Sequence, residues 1–199
     1  MTLYDLKPRF QALLRPAVTR LAAAGVTANQ VTLLAAAGSI GLGAALVALP
    51  ANRALFLLLP VWLLLRMALN AIDGMLAREH AQASRLGGYL NELCDVVSDA
   101  ALMLPFAFVA PFGPVSVFAV IFLAALSEYA GAMGPLVGAP RRYDGPFGKS
   151  DRALATGALG LWVGAALPMP AALFWIMPGF AALLVLTTIN RIRAGLREP

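Results

Sequence analysis

The sequence predicts an all-α integral membrane protein, with six transmembrane helices preceded by an amphipathic helix in the membrane interface. Of the 199 residues, 60% are hydrophobic and only 13% are charged, and the mean hydropathy is +0.79. A soluble domain of this length would expose too much apolar surface to water, so this composition requires a bilayer as solvent. Six apolar segments are long enough to cross about 30 Å of hydrocarbon: 28–49, 53–78, 86–110, 114–138, 152–168 and 171–192.

The N-terminal segment 1–26 is predicted to be the interfacial helix, and residues 27–199 the membrane domain. Apolar residues recur there at near-helical spacing among basic residues, a pattern typical of helices that lie on a membrane. They are Leu3, Leu6, Phe10, Leu13, Leu14, Val18 and Leu21. Thr27 is predicted to be the N-cap of the first span.

The distribution of basic residues predicts the orientation. The formal net charge of +5 could suggest nucleic acid, but the Lys and Arg residues flank the spans, where they act as topology signals and contact lipid headgroups. Nearly all of them fall in the N-terminus, the loops 79–85 and 139–152 and the tail after 190, whereas the opposite loops hold only Arg53. We therefore expect both termini to lie in the cytoplasm and the protein to have no nucleic acid partner. The expected location is a bacterial inner membrane.

Oxygen-bearing side chains meet at the cytoplasmic ends of the second and third segments. Asn70 and Asp73 are three residues apart, and Asn91 and Asp95 are four apart, so each pair lies on one face of a helix. Two antiparallel neighbours would bring the four groups together. Hard divalent cations such as Mg²⁺ favour such an all-oxygen set, completed by substrate phosphates and water.

The residues that follow Asp73 suit a phosphate-bearing ligand. Gly74 and Ala77 have little side-chain bulk, which would let such a ligand approach the backbone closely. Arg78 adds a planar, forked hydrogen-bond donor that matches the geometry of a phosphate group.

This stretch resembles the signature of the CDP-alcohol phosphatidyltransferases, D-x2-D-G-x2-A-R-x8-G-x3-D-x3-D. The positions that match in register are Asp73, Gly74, Ala77, Arg78, Gly87 and Asp95. Segments 25–32 and 148–152 and the six-span layout are also similar to that family, so the resemblance covers essentially the whole chain. It implies transfer of a phosphatidyl group from a CDP-lipid, such as CDP-diacylglycerol, to an alcohol in phospholipid synthesis, with release of CMP.

The resemblance also implies roles for individual residues. Asp95 would be the general base and also a metal ligand, and Asp73 a metal ligand, for one or two Mg²⁺ or Mn²⁺ ions. The CDP pocket would comprise Asp73, Gly74, Ala77, Arg78 and Gly87. Positions similar to Lys149, Arg152 and Arg193 bind the acceptor in the family and favour a phosphorylated one, such as glycerol 3-phosphate or an inositol phosphate, over serine. The alternative for these basic residues is topology and lipid contact alone. The resemblance further implies a homodimer.

The chain departs from the signature at two of the four aspartate positions, which Asn70 and Asn91 occupy. Amide oxygens still ligate hard cations, but each replacement removes one negative charge. The site would then bind one metal, bind two weakly, recruit Glu92 or Asp99 as a further ligand, or be catalytically degenerate and only bind CDP-lipid or partner proteins. Because Asp95 is retained, an active enzyme is the favoured interpretation.

Two further acidic residues lie deeper in the spans. Asp99 and Arg66 each lie four residues into the membrane from the cluster, so they either form an ion pair inside the bundle or Asp99 supplies the missing metal charge. Glu128 is a further acid within a span that needs a partner.

Overall fold

The computed structural model describes residues 3–197, with side chains from residue 10 onward, and all of its regular structure is helical. The described residues form seven α-helices: α1 Leu3–Ala23, α2 Ala28–Ala48, α3 Leu58–Glu79, α4 Arg85–Met103, α5 Pro114–Ala132, α6 Lys149–Gly164 and α7 Ile176–Arg197. Short 3₁₀ turns lie at Arg53–Leu57, Leu104–Phe108, Gly134–Val137 and Ala171–Trp175. The all-α prediction is confirmed.

Each of the helices α2 to α7 overlaps one of the six apolar segments predicted from the sequence, although α4 and α5 end at Met103 and Ala132, several residues before the predicted ends at 110 and 138. Within residues 3–197, four helical stretches are long and apolar enough to span a membrane: Ala28–Ala48, Arg53–Glu79, Pro114–Ala132 and Ala171–Arg197. The two others differ for physical reasons. Helix α4 contains four charged residues, and α6, with 16 residues, is only about 24 Å long at about 1.5 Å per residue. The count of six spans therefore stays a prediction.

The start of α2 is capped as the sequence predicted. The Thr27 hydroxyl accepts a hydrogen bond from the Gln30 amide at 3.2 Å, and the Gln30 side chain accepts one from the Thr27 amide at 2.9 Å. In addition, the Gln82 side chain accepts from the Ala28 amide at 2.7 Å and donates to the Val26 carbonyl at 3.3 Å. The turn between α3 and α4 is thereby tied to the beginning of α2.

Helix α1 packs on the end of α3 that carries the signature residues. Val18 is fully buried against Ile72, Met75 and Leu76, and the Arg15 guanidinium donates to both carboxylate oxygens of Glu79, at 2.9 and 3.2 Å. The buried apolar contacts keep α1 beside the site, and the exposed Arg15–Glu79 pair adds little to them. That α1 lies in a membrane interface stays a prediction. The division of the chain into residues 1–26 and 27–199 also stays a prediction.

Small residues let the helices approach closely. A Cβ atom added at Gly43 of α2 would overlap the Ala101 carbonyl of α4, and one added at Gly160 of α6 would lie 2.7 Å from the Leu59 Cβ of α3. Close backbone approach at small residues is the usual way that helices associate in lipid. Helix α2 also packs along α3, so it holds both helices that carry the oxygen ligands.

Candidate active site

Asp95 lies where α3, α4 and the start of α6 converge. One carboxylate oxygen, Oδ1, accepts hydrogen bonds from Arg66 Nη2 at 3.1 Å and from Asn70 Nδ2 at 3.3 Å. The other oxygen accepts from the Lys149 ammonium. The Asp95 side chain remains 20% exposed and that of Lys149 36%, so the group is paired with two cations yet reachable from solvent.

Asp73 is buried, and a residue of α2 orients it. The Thr32 hydroxyl lies 2.8 Å from Asp73 Oδ2 and 3.1 Å from the Ala28 carbonyl, and both Thr32 and Asp73 are buried. A hydroxyl that donates to a carboxylate limits its rotation and stabilises its charge. Sequence reasoning did not identify Thr32 as a site residue, although the family-like segment 25–32 contains it and was the available signal.

The residues predicted to bind CDP share one face of α3 and the first turn of α4. The Arg78 guanidinium lies over Gly74, where an added Cβ would be 3.1 Å from Arg78 Nη2. Ala77 lies on the same face and is half-buried, whereas Arg78 is exposed. At Gly87 an added Cβ would lie 2.8 Å from Asn29 Oδ1, so the glycine lets the start of α4 approach α2.

The Arg66–Asp99 pair that the spacing indicated is present. Arg66 Nη1 donates to Asp99 Oδ1 at 2.6 Å, and Arg152 donates to Asp99 Oδ2 at 2.9 and 3.3 Å. Arginines thus engage both oxygens of Asp99. A metal-ligand role for Asp99 would require at least one of these pairs to open, which favours the structural alternative.

Glu128 also finds its partners in the structure. It is buried and lies within ion-pair distance of Arg152 at 2.9 Å, Arg141 at 3.0 Å and Arg191 at 3.3 Å. Arg141 additionally pairs with Glu92 of α4. Arg141 and Arg191 belong to the basic segments whose charge predicts the orientation, and only the structure shows them as partners of Glu128.

The three residues predicted to bind the acceptor occupy different environments. Lys149 contacts Asp95, Arg152 is buried between Asp99 and Glu128, and Arg193 is exposed on α7. The structure therefore places Lys149 and Arg152 in one ion-pair network with Asp95, and Arg193 at the surface.

The loop between α5 and α6 closes this region. The Arg142 guanidinium donates to Asp144 at 2.9 and 3.2 Å, and this hydrogen bonding holds the pKa of the Asp144 carboxyl below its usual range. Arg191 donates to the Asp144 carbonyl at 3.3 Å. The loop is therefore fixed against α7 beside Glu128.

The metal-ligating capacity of the site follows from its donor types. Within the part of the chain that the structure describes, no group of three or more His, Cys, Asp or Glu side chains is arranged to hold a metal. The carboxylate oxygens of Asp73 and Asp95 and the amide oxygens of Asn70 and Asn91 suit a hard divalent cation. Asn70 is half-buried on α3 and donates to Asp95, whereas Asn91 is exposed on α4.

Comparison with known proteins agrees with the signature. A family model described as CDP-alcohol phosphatidyltransferase matches residues 25–189. The Escherichia coli (strain K12) protein named inner membrane protein YnbA is 48% identical over 199 residues, which cover 98% of this chain and 97% of that protein.

Two solved structures of the Mycobacterium tuberculosis phosphatidylinositol phosphate synthase share the fold. The complex with manganese and citrate has a TM-score of 0.75 at 22% identity, covering 92% of this chain and 89% of that one. The form with CDP-DAG bound has a TM-score of 0.74 at 21% identity, covering 92% and 94%. With a family model that spans most of its length and a signature that the structure gathers around Asp73 and Asp95, this chain belongs to the CDP-alcohol phosphatidyltransferase family.

Proposed function

We propose that this protein is an active membrane phosphatidyltransferase, which moves a phosphatidyl group from a CDP-lipid such as CDP-diacylglycerol to an alcohol and releases CMP. The observation that carries the proposal is the position of Asp95, a carboxylate that is partly exposed and contacted from α3 and α6. A retained, oriented and accessible carboxylate is what a general base requires.

The relatives support the donor and the location. One solved relative binds CDP-DAG, and the Escherichia coli relative is named an inner membrane protein. Together with the four apolar helices of this chain, these findings support an integral membrane protein of a bacterial inner membrane. The distribution of basic residues supports the proposal that both termini and the site lie on the cytoplasmic face.

Helix α3 and the first turn of α4 would bind the CDP-lipid donor. Gly74, Ala77 and Gly87 would leave space for the cytidine diphosphate, and the Arg78 guanidinium would bind its phosphates. Asp73, held by Thr32, would hold a divalent ion together with the oxygens of Asn70 and Asn91. When bound, Mg²⁺ or Mn²⁺ supplies polarisation of the phosphoryl oxygens; a relative of the same fold was crystallised with manganese.

Asp95 would act as the general base for the acceptor alcohol. Its carboxylate accepts the proton of the acceptor hydroxyl while the acceptor oxygen forms a bond to the phosphorus of the phosphatidyl group. The bond from that phosphorus to the bridging oxygen breaks and CMP leaves. Arg66 and Asn70 orient the carboxylate, and Lys149 lies where it can stabilise charge on the reacting oxygens.

Only two formal negative charges face the donor in this arrangement, because Asn70 and Asn91 are neutral. Arg66 and Lys149 already compensate Asp95. We therefore propose that the site uses one divalent ion, with Asp73 as its charged ligand. The homodimer stays a prediction from the family.

The proposal is tested with the full-length protein, purified in detergent and supplied with CDP-diacylglycerol, Mg²⁺ or Mn²⁺ and a panel of alcohols. We expect CMP release that falls by about 100-fold or more in Asp95→Asn, since general base catalysis contributes about 10²–10⁴-fold. Glu79→Gln, which removes an exposed carboxylate at the end of α3, is the matched control and should retain activity.

Donor binding is measured in parallel and separates an enzyme from a silent binder. Asp73→Ala should weaken the binding of CDP-diacylglycerol in the presence of the metal. If no alcohol supports CMP release and Asp73→Ala binds the donor as tightly as the natural sequence, the enzyme proposal is wrong.

A further inference from the structure

A cluster of three arginines and three carboxylates lies next to the proposed base. It comprises Arg141, Arg152, Arg191, Glu92, Asp99 and Glu128, and is called the arginine cluster below. Glu92 precedes Asp95 by three residues and Asp99 follows it by four, so all three lie on one face of α4. An acceptor that presents a hydroxyl to Asp95 from the side of α5 and α6 must therefore contact this cluster.

From the arginine cluster we infer that the acceptor is an uncharged polyol without a phosphate group. This inference rests on the phosphatidyl transfer proposed above. Three arginines at an acceptor site would ordinarily suit a phosphate. Here Glu128 lies within 3.3 Å of each of them. The carboxylate occupies the position between the guanidinium groups that a phosphate would need.

The charge balance of the region leads to the same conclusion. The three carboxylates of the arginine cluster cancel its three arginines, and the adjacent Arg66, Lys149 and Asp95 leave one net positive charge. A phosphate ester carries about −1.5 to −2 at neutral pH. It would bring further negative charge beside the buried Glu128, and like charges placed next to each other in a desolvated site repel.

The hydrogen-bonding capacity of the cluster matches hydroxyl groups. Arg141 Nε and Arg152 Nη1 are buried and lack a hydrogen-bond partner in the described part of the chain. Arg152 also borders a cavity of about 30 Å³, whose other polar lining residues are Asp99, Glu128 and Thr156. That volume admits one or two waters or a single hydroxymethyl group. A hydroxyl both accepts from a guanidinium and donates to a carboxylate, whereas a phosphate dianion only accepts.

This inference reverses the acceptor class that the family resemblance favours. The resemblance favours a phosphorylated acceptor because it assigns three basic residues to the acceptor site: Lys149, Arg152 and Arg193. That assignment does not take into account the carboxylates with which these residues pair. In the structure Arg152 is paired with two carboxylates and Arg193 is exposed. Of these three residues, Lys149, which pairs with Asp95, is the one that lies where it can contact the reacting phosphoryl group.

The experiment compares acceptors as pairs that differ only in the phosphate. CMP release from CDP-diacylglycerol is measured with glycerol against glycerol 3-phosphate and with inositol against inositol 1-phosphate. We expect kcat/KM to be higher for the unphosphorylated member of at least one pair by about 10-fold or more, given the charge repulsion at Glu128. A preference for the phosphorylated member in both pairs overturns the inference.

The variant Glu128→Gln tests the cause. It keeps the size and hydrogen-bonding atoms of the side chain but frees positive charge, so kcat/KM for glycerol 3-phosphate should rise by about 10-fold. Glu128→Asp, which retains the charge, and Glu79→Gln, outside the site, should leave the preference unchanged. An equal loss for both acceptors in Glu128→Gln indicates a purely structural role and contradicts the inference.

Direct binding keeps this test independent of catalysis. Glycerol 3-phosphate is titrated calorimetrically into the detergent-solubilised full-length protein and into Glu128→Gln. If no acceptor supports turnover, the proposed function fails, and the titration still decides whether Glu128 excludes a phosphate group from the arginine cluster. Saturable binding to the natural sequence refutes it, and binding by Glu128→Gln alone supports it.

Discussion

Arg66 holds the proposed base and the buried acid Asp99 together, and replacing it by methionine should destabilise the protein. Its guanidinium is buried and donates to Asp99 Oδ1 at 2.6 Å, to Asp95 Oδ1 at 3.1 Å and to the Asp95 carbonyl at 3.2 Å. Met fills a similar volume without charge. The variant therefore removes the cation while leaving both carboxylates in place.

The size of the effect follows from what each carboxylate retains. Removing one partner of a buried ion pair costs about 3–5 kcal/mol because an uncompensated charge remains. Asp99 keeps its pair with Arg152, and Asp95 keeps Lys149, so the lower end, about 3 kcal/mol, applies. At about 2–4 °C per kcal/mol for a chain of this length, the midpoint of thermal unfolding falls by about 6–12 °C.

Thermal unfolding in detergent, followed by intrinsic fluorescence, provides the measurement. The double variant Arg66→Met/Asp99→Asn should recover part of the loss, because it removes the carboxylate that has lost one of its two arginine partners, and a double-mutant cycle should give a coupling of about 1–3 kcal/mol. Arg66→Lys keeps the charge without the fork and should fall between the two. A midpoint for Arg66→Met within about 2 °C of the natural sequence, less than 1 kcal/mol by the same scale, would refute this account of the ion pair.

Two further predictions concern α2. Thr32→Val removes the hydroxyl that orients Asp73 and should weaken Mn²⁺ or Mg²⁺ affinity, measured by calorimetry, by about 10–100-fold; Thr32→Ser keeps the hydroxyl and should bind as before, and equal affinities for Val and Ser would contradict the role. Gly43→Ala should lower the free energy of unfolding by about 1–3 kcal/mol, since the methyl group overlaps α4. Gly41→Ala on the same helix, where the added Cβ meets nothing within 4 Å, should be neutral or stabilising by up to about 1 kcal/mol.

The helices were predictable because their signals are local. Apolar runs, the N-cap at Thr27 and the Pro and Gly residues between segments act over a few residues, and each of the six predicted segments overlaps one of the helices α2 to α7. The neighbours of each helix were not predictable in this way. The close approach of α2 and α4 depends on Gly43 facing Ala101, two residues of different helices whose proximity no local pattern encodes.

In the candidate site, too, the local spacing of residues was predictable, whereas the contacts between helices were not. The spacing of Asn70, Asp73, Asn91 and Asp95 predicts two polar helix faces, and the structure joins them through the Asn70–Asp95 hydrogen bond. Thr32 could not be assigned from spacing, because it reaches Asp73 from a helix 41 residues away in the chain.

What the sequence determined by itself was the class of fold, the chemistry of the signature and the loss of two negative charges at Asn70 and Asn91. These features depend only on composition and on spacing between residues that are close in the chain, so they can be read without the tertiary structure. Only the tertiary structure decided which charges cancel. Glu128 meets Arg141 from 13 residues away and Arg191 from 63, because buried charges must find partners wherever the packed helices bring them together. Those pairings, rather than the number of basic residues, are the basis of the acceptor class proposed above.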